Sequence, residues 1–325
     1  MRLLVTGGCG FIGSNFIRLV LEKYKDVRVV NLDKLTYCGN PDNLRDVSSD
    51  IRYSFVKGDI CDSGLAEDLA GEADAVVNFA AETHVDRSIK YPDDFMMTNV
   101  MGVKVLLEAA RKAGVSRFVQ IGTDEVYGSV PEGLSKEDDL LRPNSPYSAT
   151  KAAGDMLALS YFTTYGMPVV VVRSSNNFGP YQFPEKVIPL FITNLLRGRK
   201  VPLYGDGANV RDWLYVEDNC EGIDLVLRDG KPGQIYNIGG GNHLSNLKLT
   251  TKILSEMGKD EKSIEYVNDR PGHDRRYALD WTKIKALGWE PSAGFEENLK
   301  RTVDWYRDNE PWWAPLKDGA EIIEW

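Results

Sequence analysis

A tyrosine and a lysine four positions apart form the pair in this sequence that is best suited to proton transfer. The spacing occurs twice, at Tyr53/Lys57 and at Tyr147/Lys151. The first pair falls in a predicted strand, where four residues span roughly 13 Å and the two side chains cannot act together. The second pair opens a predicted helix, where positions i and i+4 share a face. We therefore predict that Tyr147 and Lys151 are the reactive pair.

The chemistry that this pair predicts is the removal of a proton from a hydroxyl group. A phenol has a reference pKa of about 10, so a base that works near neutrality needs its pKa lowered to about 7, which takes ~4 kcal/mol. The positive charges of Lys151 and of an oxidised nicotinamide would lower the pKa of Tyr147 in this way. The tyrosine would accept the proton while a hydride leaves the same carbon.

Two adjacent carboxyl groups, Asp124 and Glu125, follow a predicted strand in the segment IGTDEVYG. Thr123 precedes them and can hydrogen-bond the same substrate oxygen as Tyr147. When two carboxyls share one confined site, their pKa values are pushed apart, which leaves one protonated acid and one base. Eliminating water requires both, because a base removes a proton and an acid protonates the departing hydroxyl. Taken alone, the dipeptide also fits an exposed acidic turn.

A glycine-rich segment near the N-terminus, TGGCGFIG, predicts a dinucleotide site. It lies between a predicted strand and a predicted helix, so that Gly7, Gly10 and Gly13 permit a tight turn and a close approach to a pyrophosphate. Asp33 follows at the end of the second predicted strand, where a carboxylate binds an adenosine ribose and repels a 2′-phosphate. The pattern favours NAD, and Lys34 beside the acid keeps NADP as the alternative.

Short β-branched runs alternate with longer helical patterns in the first half of the chain. Strands are predicted at 3–6, 27–32, 52–56, 75–79, 118–122 and 169–173, and helices at 12–23, 93–113 and 148–165. Strands separated by helices of this length imply right-handed crossovers and a parallel sheet covered on both faces. This predicts a doubly wound α/β fold of the Rossmann type, with ligands at the carboxyl ends of the strands.

Turn signals crowd the chain after about residue 175, and the helical patterns become shorter. We predict a dinucleotide-binding domain at 1–175 and a smaller domain at 176–325 over the ligand edge of the sheet. A segment near 213–238 has the pattern of one more helix and strand that return to the first domain.

Charge and composition exclude several classes of partner. The net charge of −9 leaves no basic excess for nucleic acid. No apolar run approaches the ~18 residues of a membrane-spanning helix, and the N-terminal stretch fits a buried strand better than a signal peptide. Four cysteines without CxxC spacing and three histidines without ligand spacing argue against a metal site. We expect a cytoplasmic protein with reduced thiols and neither metal, nucleic acid nor membrane as a partner.

Four segments together resemble the extended short-chain dehydrogenase/reductase family over essentially the whole chain: TGGCGFIGS, TDEVYG, YSATK and NNFGPYQFPEKVIP. Within that family the similarity is to nucleotide-sugar 4,6-dehydratases. Their Thr-Asp-Glu triplet, here residues 123–125, separates them from 4-epimerases, which usually carry small polar residues there.

The resemblance implies a lyase with tightly bound NAD that converts a nucleotide-linked glucose into its 4-keto-6-deoxy derivative. The expected substrate is dTDP-glucose, with UDP-glucose dehydration and nucleotide-sugar 4-epimerisation as alternatives. The product would feed deoxysugar biosynthesis, dTDP-rhamnose included. In the implied reaction Tyr147 and NAD oxidise C4, Glu125 removes the C5 proton while Asp124 protonates the departing C6 hydroxyl, and the hydride returns to C6.

Pattern and resemblance together also give the binding residues. The cofactor contacts are expected to be Gly7, Gly10, Phe11, Ile12, Gly13, Asp33, Lys34, Thr36, Asp59, Ile60, Ala80, Ala81, Thr98, Tyr147 and Lys151. The nucleotide-sugar contacts are expected to be Thr83, His84, Thr123, Asn176, Glu185, Lys186, Tyr204, Arg211, Asn246, Arg270 and His273. Arg211 and Arg270 suit a diphosphate, since a guanidinium binds phosphate oxygens bidentately, and Tyr204 offers a ring for base stacking. Taken singly, each second-domain residue also fits an ion pair or loop packing, and His84 also fits a structural role.

The family resemblance further implies a homodimer. Its subunits would pack through the helices predicted at 93–113 and 148–165, which together would form a four-helix bundle.

Overall fold

The computed structural model describes residues 1–269 and 272–319. Arg270, one of the expected nucleotide-sugar contacts, lies outside the described residues. The strands are β1 (Arg2–Thr6), β2 (Arg28–Asp33), β3 (Tyr53–Lys57), β4 (Ala75–Asn78), β5 (Arg117–Thr123), β6 (Val169–Ser174), β7 (Asn176–Phe178), β8 (Val201–Tyr204), β9 (Val210–Tyr215), β10 (Ile235–Ile238), β11 (His243–Ser245) and β12 (Ile264–Val267). The helices are α1 (Phe11–Lys23), α2 (Ser63–Gly71), α3 (Val85–Lys90), α4 (Pro92–Met96), α5 (Val103–Ala113), α6 (Pro146–Tyr165), α7 (Val187–Leu196), α8 (Val216–Asp229), α9 (Asn246–Glu256), α10 (Thr282–Lys285), α11 (Phe295–Asp308) and α12 (Glu310–Asp318).

Seven parallel strands form the main sheet in the order β10-β6-β5-β4-β1-β2-β3. Side chains alternate between the faces of a strand, so each face requires its own helical layer. On β1, Leu3 and Val5 join the core that α1 and α8 cover, whereas Leu4 joins the core under α2, α5 and α6. The prediction of a doubly wound α/β fold is confirmed.

The helices that flank the reactive edge differ in detail from the prediction. The stretch predicted as one helix at 93–113 consists of α4, a π-helical segment at Met97–Gly102, and α5. A π-helical turn inserts an extra residue and often marks a functional site. Here it carries Asn99, whose side-chain amide exchanges hydrogen bonds of 2.9 and 3.0 Å with the backbone of Glu82. The π segment therefore fixes the loop that follows β4.

The helix that carries Tyr147 begins at Pro146, two residues before the predicted start at 148. Its N-terminus is closed by a capping box, in which the Ser145 and Ser148 side chains accept from each other's backbone amides. Such a box satisfies amide groups that a helix start leaves unpaired. Tyr147 consequently lies in the first helical turn, at the edge where β5 ends.

The second half of the chain builds a smaller layer on this edge. It contains the three-stranded sheet β11-β9-β7 and the pair β12-β8, with a core that includes Phe178, Trp213 and Tyr306. Two parts of this half return to the main sheet: α8 packs on α1, and β10 pairs with β6. Helix α10 also packs beside β10. None of the described helices combines the length and apolar character needed to span a bilayer.

Candidate active site

The glycine-rich turn brings free amide groups to the edge of the sheet. Gly7 has φ +69°, and a Cβ on Gly13 would lie 2.5 Å from the Gly7 carbonyl oxygen, so both positions require glycine. Gly10 caps α1, with no side-chain hydrogen bond to the cap and no acid in the first turn. A helix start of this kind attracts anions through its unpaired N–H groups and its dipole. The geometry fits a pyrophosphate.

Asp33 ties this turn to the end of β2. Its carboxylate accepts hydrogen bonds from the Cys9 amide at 2.9 Å and the Leu35 amide at 2.8 Å. Burial raises the pKa of Asp33, and these two hydrogen bonds oppose the shift. Lys34, the next residue, forms a 2.7 Å ion pair with Asp59, so its charge is matched within the site. The role of Asp33 as the ribose contact stays a prediction.

All fifteen expected cofactor contacts line one open groove, which has about 1220 Å³ of empty space. The groove runs from the glycine turn, past Asp33 and Asp59, to Tyr147 and Lys151. Its length and lining fit a dinucleotide with the nicotinamide beside Tyr147. The role of each individual contact stays a prediction.

The Tyr147 hydroxyl lies at the meeting point of three elements. It is within hydrogen-bonding reach of the hydroxyls of Thr123, at the end of β5, and Thr83, in the loop after β4. Its ring packs edge-on against Phe95 on α4, with 6.2 Å between the ring centres. Thr83, Thr123 and Tyr147 therefore form a cluster of three hydroxyls that can hold one substrate oxygen.

The charges around Tyr147 differ from the expectation. Burial raises the pKa of Tyr147 and the Glu125 carboxylate raises it further, while its two threonine hydrogen bonds oppose the shift. Lys151 Nζ donates a 2.5 Å hydrogen bond to the Ile121 carbonyl oxygen. Burial also lowers the pKa of Lys151, and the Asp155 carboxylate opposes that shift. The protein's own groups therefore favour the neutral phenol.

Asp124 is a buried carboxyl at the start of a 3-10 turn, Asp124–Tyr127, with only 3% of its surface exposed. Burial raises the pKa of Asp124 well above its ordinary value, and the charges of Glu125 and Asp212 raise it further. One of its oxygens lies 3.3 Å from the Thr123 hydroxyl, and the other has no hydrogen-bond partner among the described residues. The raised pKa favours the protonated carboxyl, which can act as a proton donor.

Glu125 lies next along the same turn and is more exposed than Asp124. Its backbone amide donates to the Thr123 hydroxyl at 3.3 Å, which orients the turn. Burial raises the pKa of Asp124 and of Tyr147, and the negative charge of Glu125 raises both pKa values further. The two adjacent carboxyls thus occupy different environments, as an acid–base pair requires.

The second layer brings Arg211 to the same site. Arg211 is buried on β9, donates to the Asp274 carbonyl oxygen at 3.0 Å and lies 4.4 Å over the Tyr277 ring. Its charge acts on the Asp124 carboxyl. Asn176 opens β7, and its side-chain oxygen is buried without a hydrogen-bond partner in the described chain. Both side chains remain available for a diphosphate or a sugar.

Other expected nucleotide-sugar contacts lie near Arg211, because the Asp274 carbonyl that accepts from Arg211 follows His273 and also accepts from Asn209. The Tyr204 and His273 rings meet edge-on at 6.2 Å, and His273 Nδ1 lies 2.6 Å from an Asp269 oxygen. Asn246 begins α9, and its backbone amide donates to the Asn209 carbonyl oxygen at 2.9 Å. The roles of these residues stay predictions.

Glu185 and Lys186 lie on the far wall of the groove. Lys186 lines it directly. Glu185 is instead engaged by the Tyr37 hydroxyl at 3.0 Å and by Arg87 at 3.6 Å. His84, at the start of α3, has a left-handed backbone with φ 93°, so its orientation depends on this local conformation.

Sequence reasoning missed two groups of residues around the site. One comprises Tyr37, Arg87 and Phe183, which lie in two loops and on α3, far apart in the sequence. The other is a buried pair, Asp155 and Arg173, joined by a 2.9 Å hydrogen bond behind Lys151. Asp155 lies one helical turn after Lys151, so the i, i+4 spacing offered a signal for this second group.

Comparison with known proteins places this geometry in context. The profile of the GDP-mannose 4,6 dehydratase family matches residues 4–302. A dTDP-glucose 4,6-dehydratase from Streptomyces niveus is 53% identical over 326 residues, which cover 99% of this chain and 97% of that protein.

Two solved structures extend the comparison. A double mutant of a dTDP-glucose 4,6-dehydratase from Streptomyces venezuelae, with NAD and a second ligand bound, is 53% identical with a TM-score of 0.95 and covers 97% of this chain and 100% of that one. A UDP-glucose 4-epimerase from Thermus thermophilus in complex with NAD is 34% identical with a TM-score of 0.87 and covers 95% of this chain and 100% of that one.

Proposed function

The chain belongs to the GDP-mannose 4,6 dehydratase family, and from that premise we infer that it is an NAD-dependent lyase. It converts dTDP-glucose into dTDP-4-keto-6-deoxyglucose and water. The Streptomyces relatives of more than half identity carry this activity in their names, and their structures contain NAD. UDP-glucose dehydration has less support, because two UDP-glucose enzymes of similar structure are 4-epimerases of 34% and 32% identity.

The observation that carries this inference is the buried Asp124 beside Glu125, opposite the hydroxyls of Thr123 and Tyr147. A 4-epimerase must only remove and return hydrogen at C4, so it has no use for a protonated carboxyl. A dehydratase needs an acid for the departing hydroxyl and a base for the C5 proton. The Asp124 carboxyl, whose pKa burial raises, suits the first requirement.

We propose the following role for each catalytic residue. Tyr147 accepts the proton of the C4 hydroxyl, which Thr123 holds in place. Glu125 removes the C5 proton, and Asp124 gives its proton to the C6 hydroxyl, which leaves as water. Glu125 then returns a proton to C5, and the proton from Tyr147 is exchanged through solvent as Asp124 regains its own. NAD, when bound in the groove, would supply the hydride acceptor for C4 and the hydride donor for C6.

Cofactor binding is assigned to the groove. The amides of the glycine turn and the N-terminus of α1 hold the pyrophosphate, Asp33 the adenosine ribose, and Lys151 the nicotinamide ribose. The positive charge of an oxidised nicotinamide beside Tyr147 would lower the phenol pKa that burial and Glu125 raise.

One experiment separates the candidate reactions. Purified protein is incubated with dTDP-glucose without added NAD, and the sugar nucleotide is followed by mass spectrometry. Loss of one water supports dehydration, and an isobaric product separable by chromatography would instead support epimerisation. A parallel incubation with UDP-glucose tests the nucleotide. Turnover of UDP-glucose at the higher rate would contradict dTDP-glucose as the substrate.

We further propose that two copies associate through the helices at 92–113 and 146–165. Large apolar side chains on these helices are about half exposed, namely Met96, Met97, Met101, Met156 and Tyr165. Contiguous exposed apolar surface of this kind is typical of an interface, and a four-helix bundle would bury it. Met156→Glu should yield monomers in sedimentation, whereas Leu140→Glu, at an exposed leucine in the 129–145 loop, should not. A wild-type monomer at micromolar concentration would exclude the dimer.

We also propose a cytoplasmic location and a place in deoxysugar biosynthesis, with dTDP-rhamnose as the candidate end product. The four cysteines are free thiols, as is typical of a reducing compartment. A chain tagged with a fluorescent protein would report the location, and loss of dTDP-rhamnose from extracts of a deletion strain would test the pathway.

A further inference from the structure

We propose that Tyr37, Arg87 and Glu185 form a clasp that holds the groove closed over the dinucleotide and sets the rate at which NAD leaves. This inference rests on the proposed function, in which NAD is regenerated in every turnover and has no need to dissociate. The three residues are named the clasp below.

The clasp joins three separate segments at the mouth of the groove. The Tyr37 hydroxyl lies 2.7 Å from the Thr83 carbonyl oxygen and 3.0 Å from Glu185 Oε1, two acceptors that share its hydrogen. The Arg87 guanidinium lies 3.8 Å over the Tyr37 ring and pairs with Glu185 at 3.6 Å. A single tyrosine thus connects the loop after β2, the loop after β4 and the segment before α7.

The clasp residues are themselves well shielded. The side chains of Arg87 and Glu185 are 14% and 10% exposed, and the Phe183 ring packs edge-on against Tyr37 at 5.6 Å. Burial raises the pKa of Tyr37, so its hydroxyl keeps the hydrogen that the bridge requires. An ion pair and a cation–π contact are stronger in such surroundings than on an open surface.

The position of the clasp relates it to cofactor release. The sequence neighbours of its members, Thr36, Cys38 and Lys186, line the dinucleotide groove, as does Thr83. Tyr37 and Arg87 instead line a second cavity, which shares Thr36, Glu82 and Thr98 with the groove. The clasp therefore lies beside the groove, where segments that line it meet. A dinucleotide can leave when these segments separate, and separation breaks the clasp.

The backbone supports the same conclusion. Among residues 1–269 and 272–319, the non-glycine residues with positive φ are Leu35 at 59°, His84 at 93° and Tyr181 at 67°. One lies in or beside each of the three segments that the clasp joins. Left-handed backbone is costly for residues with a Cβ and persists where surrounding contacts hold it, often at ligand clamps. The clasp contacts offset this strain in the closed form.

The test measures the exchange of bound NAD. Wild-type holoenzyme is mixed with an excess of deuterated NAD, and the isotope content of the protein-bound cofactor is followed by mass spectrometry after rapid gel filtration. Tyr37→Phe keeps the ring over which Arg87 lies and removes the hydroxyl that bridges Thr83 and Glu185. We expect exchange to accelerate about tenfold, the factor that corresponds to about 1.4 kcal/mol.

The matched control is Tyr24→Phe. Tyr24 also donates its hydroxyl hydrogen to a carboxylate, Asp224, at 2.6 Å, but between α1 and α8 on the other side of the sheet. Its exchange rate should equal that of the wild type. Arg87→Lys changes a second residue of the clasp and replaces Tyr37→Phe in the experiment if that variant does not fold.

Melting temperatures measured with saturating NAD distinguish a faster exchange of NAD from a general loss of stability.

The outcomes distinguish the clasp from the proposed function. If the wild type converts dTDP-glucose while Tyr37→Phe and Arg87→Lys exchange NAD at the wild-type rate, the clasp is wrong and the proposed function stands. If the wild type neither retains nor takes up NAD, both are wrong. Faster exchange in both variants but not in Tyr24→Phe supports the clasp.

Discussion

The Lys151 ammonium group donates a 2.5 Å hydrogen bond to the carbonyl oxygen of Ile121, two residues before β5 ends at Thr123. This contact fastens α6 to the strand that carries the two carboxyls. Since Tyr147 lies one helical turn before Lys151, its hydroxyl is held next to Thr123. The reactive tyrosine and the Asp124–Glu125 turn therefore keep a fixed relation, on which the following predictions depend.

Tyr147→Phe should abolish the first proton transfer while leaving the groove intact. The phenyl ring preserves the edge-on contact with Phe95, but no group remains to accept the C4 hydroxyl proton. Loss of a general base lowers kcat by roughly 10²–10⁴-fold. Steady-state kinetics with dTDP-glucose measure the effect. Tyr53→Phe, at the other Tyr-xxx-Lys pair, is the control and should retain kcat; equal losses in both variants would contradict the assignment.

Glu125→Gln should permit oxidation at C4 but largely stop proton removal at C5. Glutamine keeps the size of the side chain and cannot accept the proton. In deuterated solvent we expect transient reduction of the cofactor, seen by absorbance, without deuterium at C5, seen by mass spectrometry. Glu132→Gln, at an exposed position in the loop after β5, is the control. Exchange at the wild-type rate would mean that another group removes the proton.

Asp124→Asn should slow elimination and yet stabilise the fold at neutral pH. Without the proton donor, departure of the C6 hydroxyl should slow by roughly 10²–10⁴-fold. Burial raises the pKa of Asp124 in the folded protein, whereas the unfolded chain loses the proton at about pH 3.9. Above that pH the folded protein therefore binds more protons at Asp124 than the unfolded chain does. Ionisation of Asp124 in the unfolded chain then lowers the free energy of unfolding progressively, until the pH reaches the pKa of Asp124 in the folded protein.

The pH dependence makes the stability effect measurable. The Asn variant cannot ionise, so its melting temperature should match the wild type near about pH 4 and exceed it increasingly towards about pH 8. Both proteins are measured without substrate. A variant that melts lower at every pH would show that the carboxyl makes a stabilising contact, and would argue against a protonated Asp124.

Asp33→Asn should weaken NAD binding and reduce the discrimination against NADP. The Asp33 carboxylate accepts hydrogen bonds from two backbone N–H groups. The side chain of asparagine has one acceptor oxygen, so its NH₂ group would face the second N–H donor without a hydrogen bond. Hydrogen bonds to a charged group contribute about 1.5–3 kcal/mol, so NAD affinity should fall at least about tenfold. Calorimetric titration of the NAD-free protein measures both cofactors, with Asp26→Asn, an exposed position, as the control. An unchanged NAD to NADP ratio would contradict the role of Asp33.

The local features of the site follow from short stretches of sequence. Gly7, Gly10 and Gly13 stand between a strand and a helix, and Tyr147 and Lys151 share a helical face, so neighbouring residues alone fix their relation. The parallel order of the strands brings these stretches to one edge of the sheet. The sequence accordingly predicts the fold class, which the structure confirms, and a groove that all fifteen expected cofactor contacts line.

Other features depend on contacts between distant residues. The π-helical segment around Asn99 is set by packing, which local propensity does not determine. The raised pKa of Tyr147 likewise comes from burial and from Glu125.

The sequence by itself determined that two adjacent carboxyls follow β5 and that Tyr147 and Lys151 share a helical face, because residue types and helical or strand spacing are local properties. Only the tertiary structure decided how the two carboxyls differ, since burial raises the pKa of Asp124. Asp124 and Glu125 are neighbours with similar ordinary pKa values, and the difference arises from the burial of Asp124 among Thr123, Asp212 and Arg211. Likewise, Tyr37, Arg87 and Glu185 become one clasp only when three segments far apart in the chain are folded against one another, since desolvation and distance are properties of the assembled site.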